Sequence, residues 1–190
     1  MKKYLFINVF LASFLMIFHA HAGKPTPVTT YEIGLPGPAG GIVFHIFDGG
    51  GQRYSGQHGL EAAPTDIGQA GWGCFMSEIS DARKIAVGTG AQNTSEILAN
   101  CSDIDSAAMI ASNYVLNGFN DWFLPSREDL VLIYRNLHSF GLGNFDVEME
   151  YWSSSEINGY YAWSLKFLTG ALYMNYKDSY SFRVRPIRVF

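Results

Sequence analysis

Ala162-Trp163-Ser164-Leu165-Lys166-Phe167-Leu168-Thr169-Gly170-Ala171-Leu172-Tyr173-Met174-Asn175-Tyr176-Lys177 is the stretch whose pattern decides the fold class. Trp163, Leu165 and Phe167 alternate with Ser164 and Lys166, the period of a strand with one buried face. Thr169-Gly170 predicts a hairpin turn. Beyond it Leu172, Met174 and Tyr176 continue the inward set, which leaves Tyr173, Asn175 and Lys177 facing out. Asp178-Ser179 predicts a second turn. Residues 182–190 predict a last strand whose phase slips at Pro186, as at a bulge or a sheet edge.

Upstream the period lengthens to that of helices. Ser126 is placed as an N-cap, with Glu128 and Asp129 in the first turn, where the helix dipole favours anions. Leu130, Ile133, Tyr134 and Leu137 follow at helical spacing, and Gly141 and Gly143 end the segment. Apolar positions 107, 108, 110, 111, 115 and 116 predict a buried helix over 106–116, ended by Asn117-Gly118. A shorter helix is expected over 94–100, capped by Asn93 or Thr94. Residues 42–47 predict a strand closed by the turn Asp48-Gly49-Gly50-Gly51, and 59–64 a second extended segment. Gly34-Leu35-Pro36-Gly37-Pro38-Ala39-Gly40 predicts a tight turn, because two collagen-like triplets cannot hold a triple helix. Helices first and an antiparallel sheet after them make the chain α+β.

Residues 1–22 have the layout of a secretory signal peptide. Lys2 and Lys3 precede an apolar run from 5 to 18, and Ala20-His21-Ala22 supplies small residues for cleavage after Ala22. The run is shorter than a membrane span. Residues 23–36 are expected to be a flexible leader, and 37–190 a single domain. The expected location is secreted, periplasmic or at a bacterial cell surface. In such a compartment Cys74 and Cys101 are expected to pair, closing a loop worth roughly 3.5 kcal/mol in the chain-entropy model. A zinc site lacks its ligand spacing, and a catalytic thiol stands as the alternative.

Without residues 1–22 the chain carries 11 basic and 17 acidic residues, net −6. The charge divides unevenly. Residues 23–159 hold 6 basic against 16 acidic, whereas 160–190 hold Lys166, Lys177, Arg183, Arg185 and Arg188 against Asp178. The body repels nucleic acid. The C-terminal cations either attract an anionic ligand locally or pair with acids of the body.

Several blocks together resemble a bacterial domain-of-unknown-function family that includes the C-terminal domain of the Legionella collagen-like adhesin. They are Gly37-Pro38-Ala39-Gly40-Gly41-Ile42-Val43-Phe44, Gly59-Leu60-Glu61-Ala62-Ala63-Pro64 and Trp72-Gly73-Cys74. To these are added Gly118-Phe119-Asn120-Asp121-Trp122-Phe123-Leu124-Pro125-Ser126, Tyr151-Trp152-Ser153-Ser154-Ser155-Glu156 and Val184-Arg185-Pro186-Ile187-Arg188. The resemblance implies a C-type-lectin-like fold, related to formylglycine-generating-enzyme-like domains, that displays ligand-binding residues on its C-terminal strands and loops. In the adhesin the domain follows collagen repeats and is linked to sulfated glycosaminoglycans. This chain has no such repeats and an acidic body.

Asn120 and Asp121 are read as tying a turn through side-chain bonds, with Trp122 and Leu124 in the core. Ser153, Ser154 and Ser155 are read as satisfying backbone groups between closely packed strands. The Glu-Pro-Asn triplet of sugar-binding C-type lectins is missing, so no metal site and no cofactor is expected. No nucleophile-elbow pattern occurs, and His45 lies within an apolar strand. The expected function is non-catalytic binding of a surface glycan or protein. The candidate ligand residues are Asn158, Tyr160, Tyr161, Tyr173, Asn175, Lys177, Asp178 and Tyr180. Rigid aromatics beside small polar residues suit a recognition surface. The alternatives are a formylglycine-generating-enzyme-like enzyme, which needs reactive cysteines, or a structural subunit of an envelope assembly.

Overall fold

The computed structural model describes residues 30–47 and 58–190. The expected signal peptide and the expected turn at 48–51 lie outside the described residues. Among the described residues eight strands form two sheets: β1 (Ile42–Ile46), β2 (Gly59–Ala62), β3 (Gln69–Ala70), β4 (Glu150–Glu156), β5 (Tyr161–Lys166), β6 (Ala171–Tyr176), β7 (Phe182–Arg183) and β8 (Ile187–Val189). One sheet is three-stranded and antiparallel, ordered β1-β2-β8. The other is five-stranded, ordered β3-β7-β4-β5-β6, with its single parallel pairing between β4 and β7. Three helices join them: α1 (Gly90–Asn100), α2 (Ala107–Ser112) and α3 (Arg127–Asn136). The chain is therefore α+β. Among the described residues no helix is long and apolar enough to cross a membrane.

β4 organises the core. Its adjacent aromatics point to opposite faces, as the two-residue period requires. Tyr151 joins Phe44, Leu130, Ile133, Leu165 and Phe167 under α3. Trp152 joins Trp72, Ile97, Ala108, Leu124 and Val184 against α1 and α2. With both faces covered, residues 151–156 are all buried, and every polar group there needs a partner. The three serines supply theirs as read from the sequence. Ser153, Ser154 and Ser155 donate to the carbonyls of Trp163 (2.8 Å), Pro125 (3.1 Å) and Lys84 (2.7 Å).

The α3 cap is observed as expected and forms a full capping box. The Ser126 hydroxyl accepts from the Asp129 N–H, and the Asp129 carboxylate accepts from the Ser126 N–H. Trp122 and Leu124 are buried. The other two helices differ from expectation. α1 begins at Gly90, so Asn93 is inside the helix. Its side chain accepts from the Lys84 N–H and donates to the Lys84 carbonyl, so its capping potential is spent on the preceding loop. Gly90 is required there, because a Cβ would lie 2.6 Å from the Leu124 carbonyl oxygen. α2 stops at Ser112. Asn117 and Gly118 do not end it but form a two-residue hairpin, with φ of +51° and +85° and Leu116 bridged to Phe119.

Part of the expected leader is docked. The Gly34 N–H donates to the Val43 carbonyl, the Val43 N–H donates back to the Leu35 carbonyl, and the Tyr31 ring lies 4.8 Å edge-on from Phe190. The phase slip at Pro186 proves to be a change of sheet: β7 ends in the five-stranded sheet and β8 begins in the other. Arg185 staples this crossover. It is fully buried, donating to Asp66 (2.7 Å) and to the carbonyls of Ala63 and Gly143, with its guanidinium 4.2 Å from the Phe145 ring centroid.

Candidate functional site

The C-terminal cations do not form a basic surface. Arg183 pairs with Asp146 (2.8 Å), Arg185 with Asp66, Arg188 with Asp121 and Glu61, and Lys177 with Glu156. Strands that bury their apolar residues here also bury cation stems, and the acidic body neutralises the heads. Of the two readings of the charge division, pairing within the body is the one observed. Asp121 reaches beyond its own turn. Its carboxylate receives Arg188 at 2.5 and 2.9 Å, a bond that holds it below the usual carboxylate pKa.

Lys177 corrects the sequence reading most sharply. It was expected to face outward and is instead fully buried. Its ammonium lies 2.5 Å from Glu156 Oε1, donates to the Ser77 carbonyl (2.8 Å), and sits 4.4 Å from the Trp72 ring centroid. Burial outweighs the carboxylate contact and lowers its pKa. Glu156 also accepts from the Ile79 N–H (2.7 Å) and from Arg83 (3.3 Å). The inward set fails for the same reason. β6 is an edge strand at which the core runs out, so Met174 and Tyr176 are exposed while the face of Lys177 runs under Trp72.

This buried node fixes two loops against each other. One is the segment 74–77, held by the Cys74–Cys101 disulfide with a Cα separation of 5.6 Å. Asp103 accepts from the Cys74 N–H (2.7 Å), and the Ser77 N–H donates to the Cys74 carbonyl. Cys74 and Met76 take left-handed φ values of +47° and +68°, a conformation that side-chain-bearing residues adopt at some cost and that the surrounding bonds enforce. The other is the β4–β5 connection. Asn158 Oδ1 accepts from the Tyr160 and Tyr161 N–H groups, and Gly159 lies against the backbone of Met76 and Ser77.

Together the loops display an aromatic patch. The Phe75 ring lies 5.7 Å from Tyr160 and 6.1 Å from Tyr176, both edge-on, and Tyr161 lies 4.6 Å from Tyr176. A hydrogen bond to Tyr176 holds the Tyr161 phenol above its ordinary pKa. Tyr160 and Tyr176 are each about half exposed, and Met76 is 67% exposed beside them. An open groove of about 480 Å³ lies beside the disulfide, lined by Cys74 and Ser77 at the two ends of the 74–77 loop and by Asn100 and Ser102, and it includes none of the patch aromatics.

The structure thus gathers Asn158, Tyr160 and Tyr161 from the sequence candidates and sets Lys177 beneath them. Asp178 is exposed in the turn after β6. The Tyr180 ring packs over Gly71, where a Cβ would lie 3.2 Å from it. Tyr173 and Asn175 share a face of β6, with neither Met174 nor Tyr176 on it. Phe75, Met76 and Tyr176 were not anticipated. The only hint of the first two was their adjacency to Cys74.

Two constellations bear on chemistry. Cys74, Cys101 and Asp103 form the one group of three His, Cys, Asp or Glu side chains, among the described residues, with ligand atoms close together. Both its sulfurs are joined in the disulfide, which leaves no thiolate to bind metal or attack a substrate. His45 and His138 pack edge-on against Phe47 and against Phe145 and Phe167. No protein-family model matches the chain, and no curated protein matches it.

Proposed function

We propose that this chain is an exported, non-catalytic binding domain that recognises a surface glycan or a protein in the manner of an adhesin. Its fold is read as C-type-lectin-like, as the resemblance of its sequence blocks implies. The observation that carries the reading is the aromatic patch of Phe75, Tyr160, Tyr161 and Tyr176. Exposed rings on freely moving loops lose entropy when a ligand orders them. Here a disulfide, a left-handed loop and a buried ion pair have already fixed the backbone beneath, which favours binding. The disulfide supports an oxidising compartment and removes the thiols on which a formylglycine-generating-enzyme-like reaction depends.

The test is a screen of residues 23–190 against arrays of glycans and host-matrix proteins, repeated with the double variant Phe75→Ser/Tyr160→Ser. Aromatic anchors of this kind contribute about 2 kcal/mol or more each, so the double variant is expected to lose at least a hundredfold in affinity. Undiminished binding by a folded double variant rejects the site.

A further inference from the structure

Resting on the reading of the chain as a binding domain, we propose that the face of β5 and β6 carrying Tyr173 is a subsite for a neutral sugar. In the β-register Ser164 stands opposite both Trp152 and Tyr173, and Ala162 stands opposite Asn175. Glu150, Ser164, Tyr173 and Asn175 therefore share one face of the sheet. Toward one end this face is sealed by Trp152, Ala162 and Lys177, all buried. Toward the other, Glu150 and Asn175 are half-buried and Tyr173 is 42% exposed.

The three polar side chains lock one another. Glu150 Oε2 accepts from the Ser164 hydroxyl and from the Asn175 amide, both at 2.5 Å, and the same amide nitrogen lies 2.7 Å from Ser164 Oγ. A carboxylate only accepts, so the amide NH2 must face it, and this fixes which way Asn175 is turned. Glu150 Oε1 and Asn175 Oδ1 are left without a protein partner. No buried side-chain oxygen among the described residues lacks one, so both atoms reach solvent. Two acceptors carried by one locked network, on the same sheet face as a half-exposed phenol ring, suit a pyranose. Its neighbouring hydroxyls donate to the oxygens, and its C–H face lies on Tyr173.

Charge selects the class of sugar. The Glu150 carboxylate repels sulfate and carboxylate substituents. Lys166 stands opposite Glu150 in the register, and the two opposite charges leave the face close to neutral overall, with no net attraction for an anion. The guanidinium of Arg183, which could have attracted an anion, is paired with Asp146. The site therefore favours an uncharged hydroxyl-rich ring over the sulfated glycans that bind the adhesin of the resembling family.

The experiment is ligand-observed NMR and calorimetry on residues 23–190. The probes are methyl glycosides of glucose, galactose, mannose and N-acetylglucosamine, with a heparin-derived sulfated disaccharide as comparator. At least one neutral glycoside is expected to bind. Tyr173→Ala, Asn175→Ala and Glu150→Gln should each weaken it tenfold or more. Tyr173 is exposed, so Tyr173→Ala keeps the test valid if a variant in the polar network fails to fold, and thermal midpoints check folding. Binding of neutral glycosides that none of the three variants alters overturns the subsite, as does the absence of any such binding. So does a sulfated disaccharide that competes at Tyr173. If the Phe75→Ser/Tyr160→Ser variant abolishes array binding while these three do not, the subsite fails and the binding-domain reading stands.

Discussion

Replacing Lys177 by Met removes a buried ammonium while keeping most of the side-chain volume. Three contacts go with it: the 2.5 Å bond to Glu156, the bond to the Ser77 carbonyl, and the position over the Trp72 ring. What remains is a fully buried carboxylate. It keeps the Ile79 N–H at 2.7 Å and Arg83 at 3.3 Å, but the Arg83 side chain is 39% exposed and screens poorly. Breaking a buried pair on one side costs about 3–5 kcal/mol. The two surviving partners of Glu156 place the expected loss near 3 kcal/mol, a substantial share of the roughly 5–15 kcal/mol by which domains are stable.

The pair itself need not be favourable, since burial already lowers the pKa of Lys177 more than Glu156 raises it. The double variant Glu156→Gln/Lys177→Met should therefore unfold within about 1 kcal/mol of the parent, because neutral groups of similar volume replace a buried pair at little cost. Urea unfolding at pH 7, followed by tryptophan fluorescence, measures both. Trp72 lies against the altered group and reports locally. A Lys177→Met variant within 1 kcal/mol of the parent refutes the reasoning. A double variant as unstable as the sum of the singles does so equally.

Cys74→Ser/Cys101→Ser should lose about 3.5 kcal/mol, since the bond spans 27 residues, and reducing agent should lower the parent's urea midpoint to that of the double variant. Asp146→Asn tests the acid limb. Its bond to Arg183 holds the folded pKa below the ordinary value. That contribution is complete above about pH 4 and is lost as the pH falls through the folded pKa. The variant should therefore differ from the parent most at pH 7 and converge on it in urea midpoints as the pH falls below the folded pKa. Asp129 has the opposite sign, because burial raises its pKa. Its contribution is complete below about pH 4 and declines as the pH rises through the folded value. Asp129→Ala should nonetheless destabilise at pH 7 by about 2 kcal/mol, because the N–H groups of Ser126 and Gly88 lose their acceptor. Gly90→Ala should destabilise by more than 1 kcal/mol in thermal unfolding, against the helix preference for Ala, because the new methyl meets the Leu124 carbonyl.

Local rules carried the α3 cap, the antiparallel connection of β5 to β6 and the disulfide, and these appear as read, whereas the faces assigned to those two strands do not. Each is decided within a few residues, or by two cysteines that have only each other. Local rules failed where a residue's surroundings come from distant chain. Asn93 has the chemistry of a cap, yet it serves the loop at Lys84. Asn117-Gly118 has the chemistry of a helix end, yet it turns a hairpin.

The aromatic patch was half legible for the same reason. Tyr160 and Tyr161 stand out in the sequence by composition. Phe75 and Met76 lie some 85 residues earlier and join them where the disulfide ties their loop to the end of α1 and Lys177 ties it to the end of β6.

By itself the sequence determined an α+β chain, the pairing of Cys74 with Cys101, and a C-terminal sheet rich in tyrosine. It also counted five cations in the last 31 residues, but a count of charge carries no geometry. Only the tertiary structure decided that four of them are spent on acids of the body. Coulomb attraction depends on separation, and the separations are set by strands that cross from one sheet to the other. The same holds for β6. Its alternation is written in the sequence, but which face meets the core depends on where the core ends. The core ends before β6, leaving Tyr173, Met174 and Tyr176 in solvent and Lys177 buried beneath Trp72.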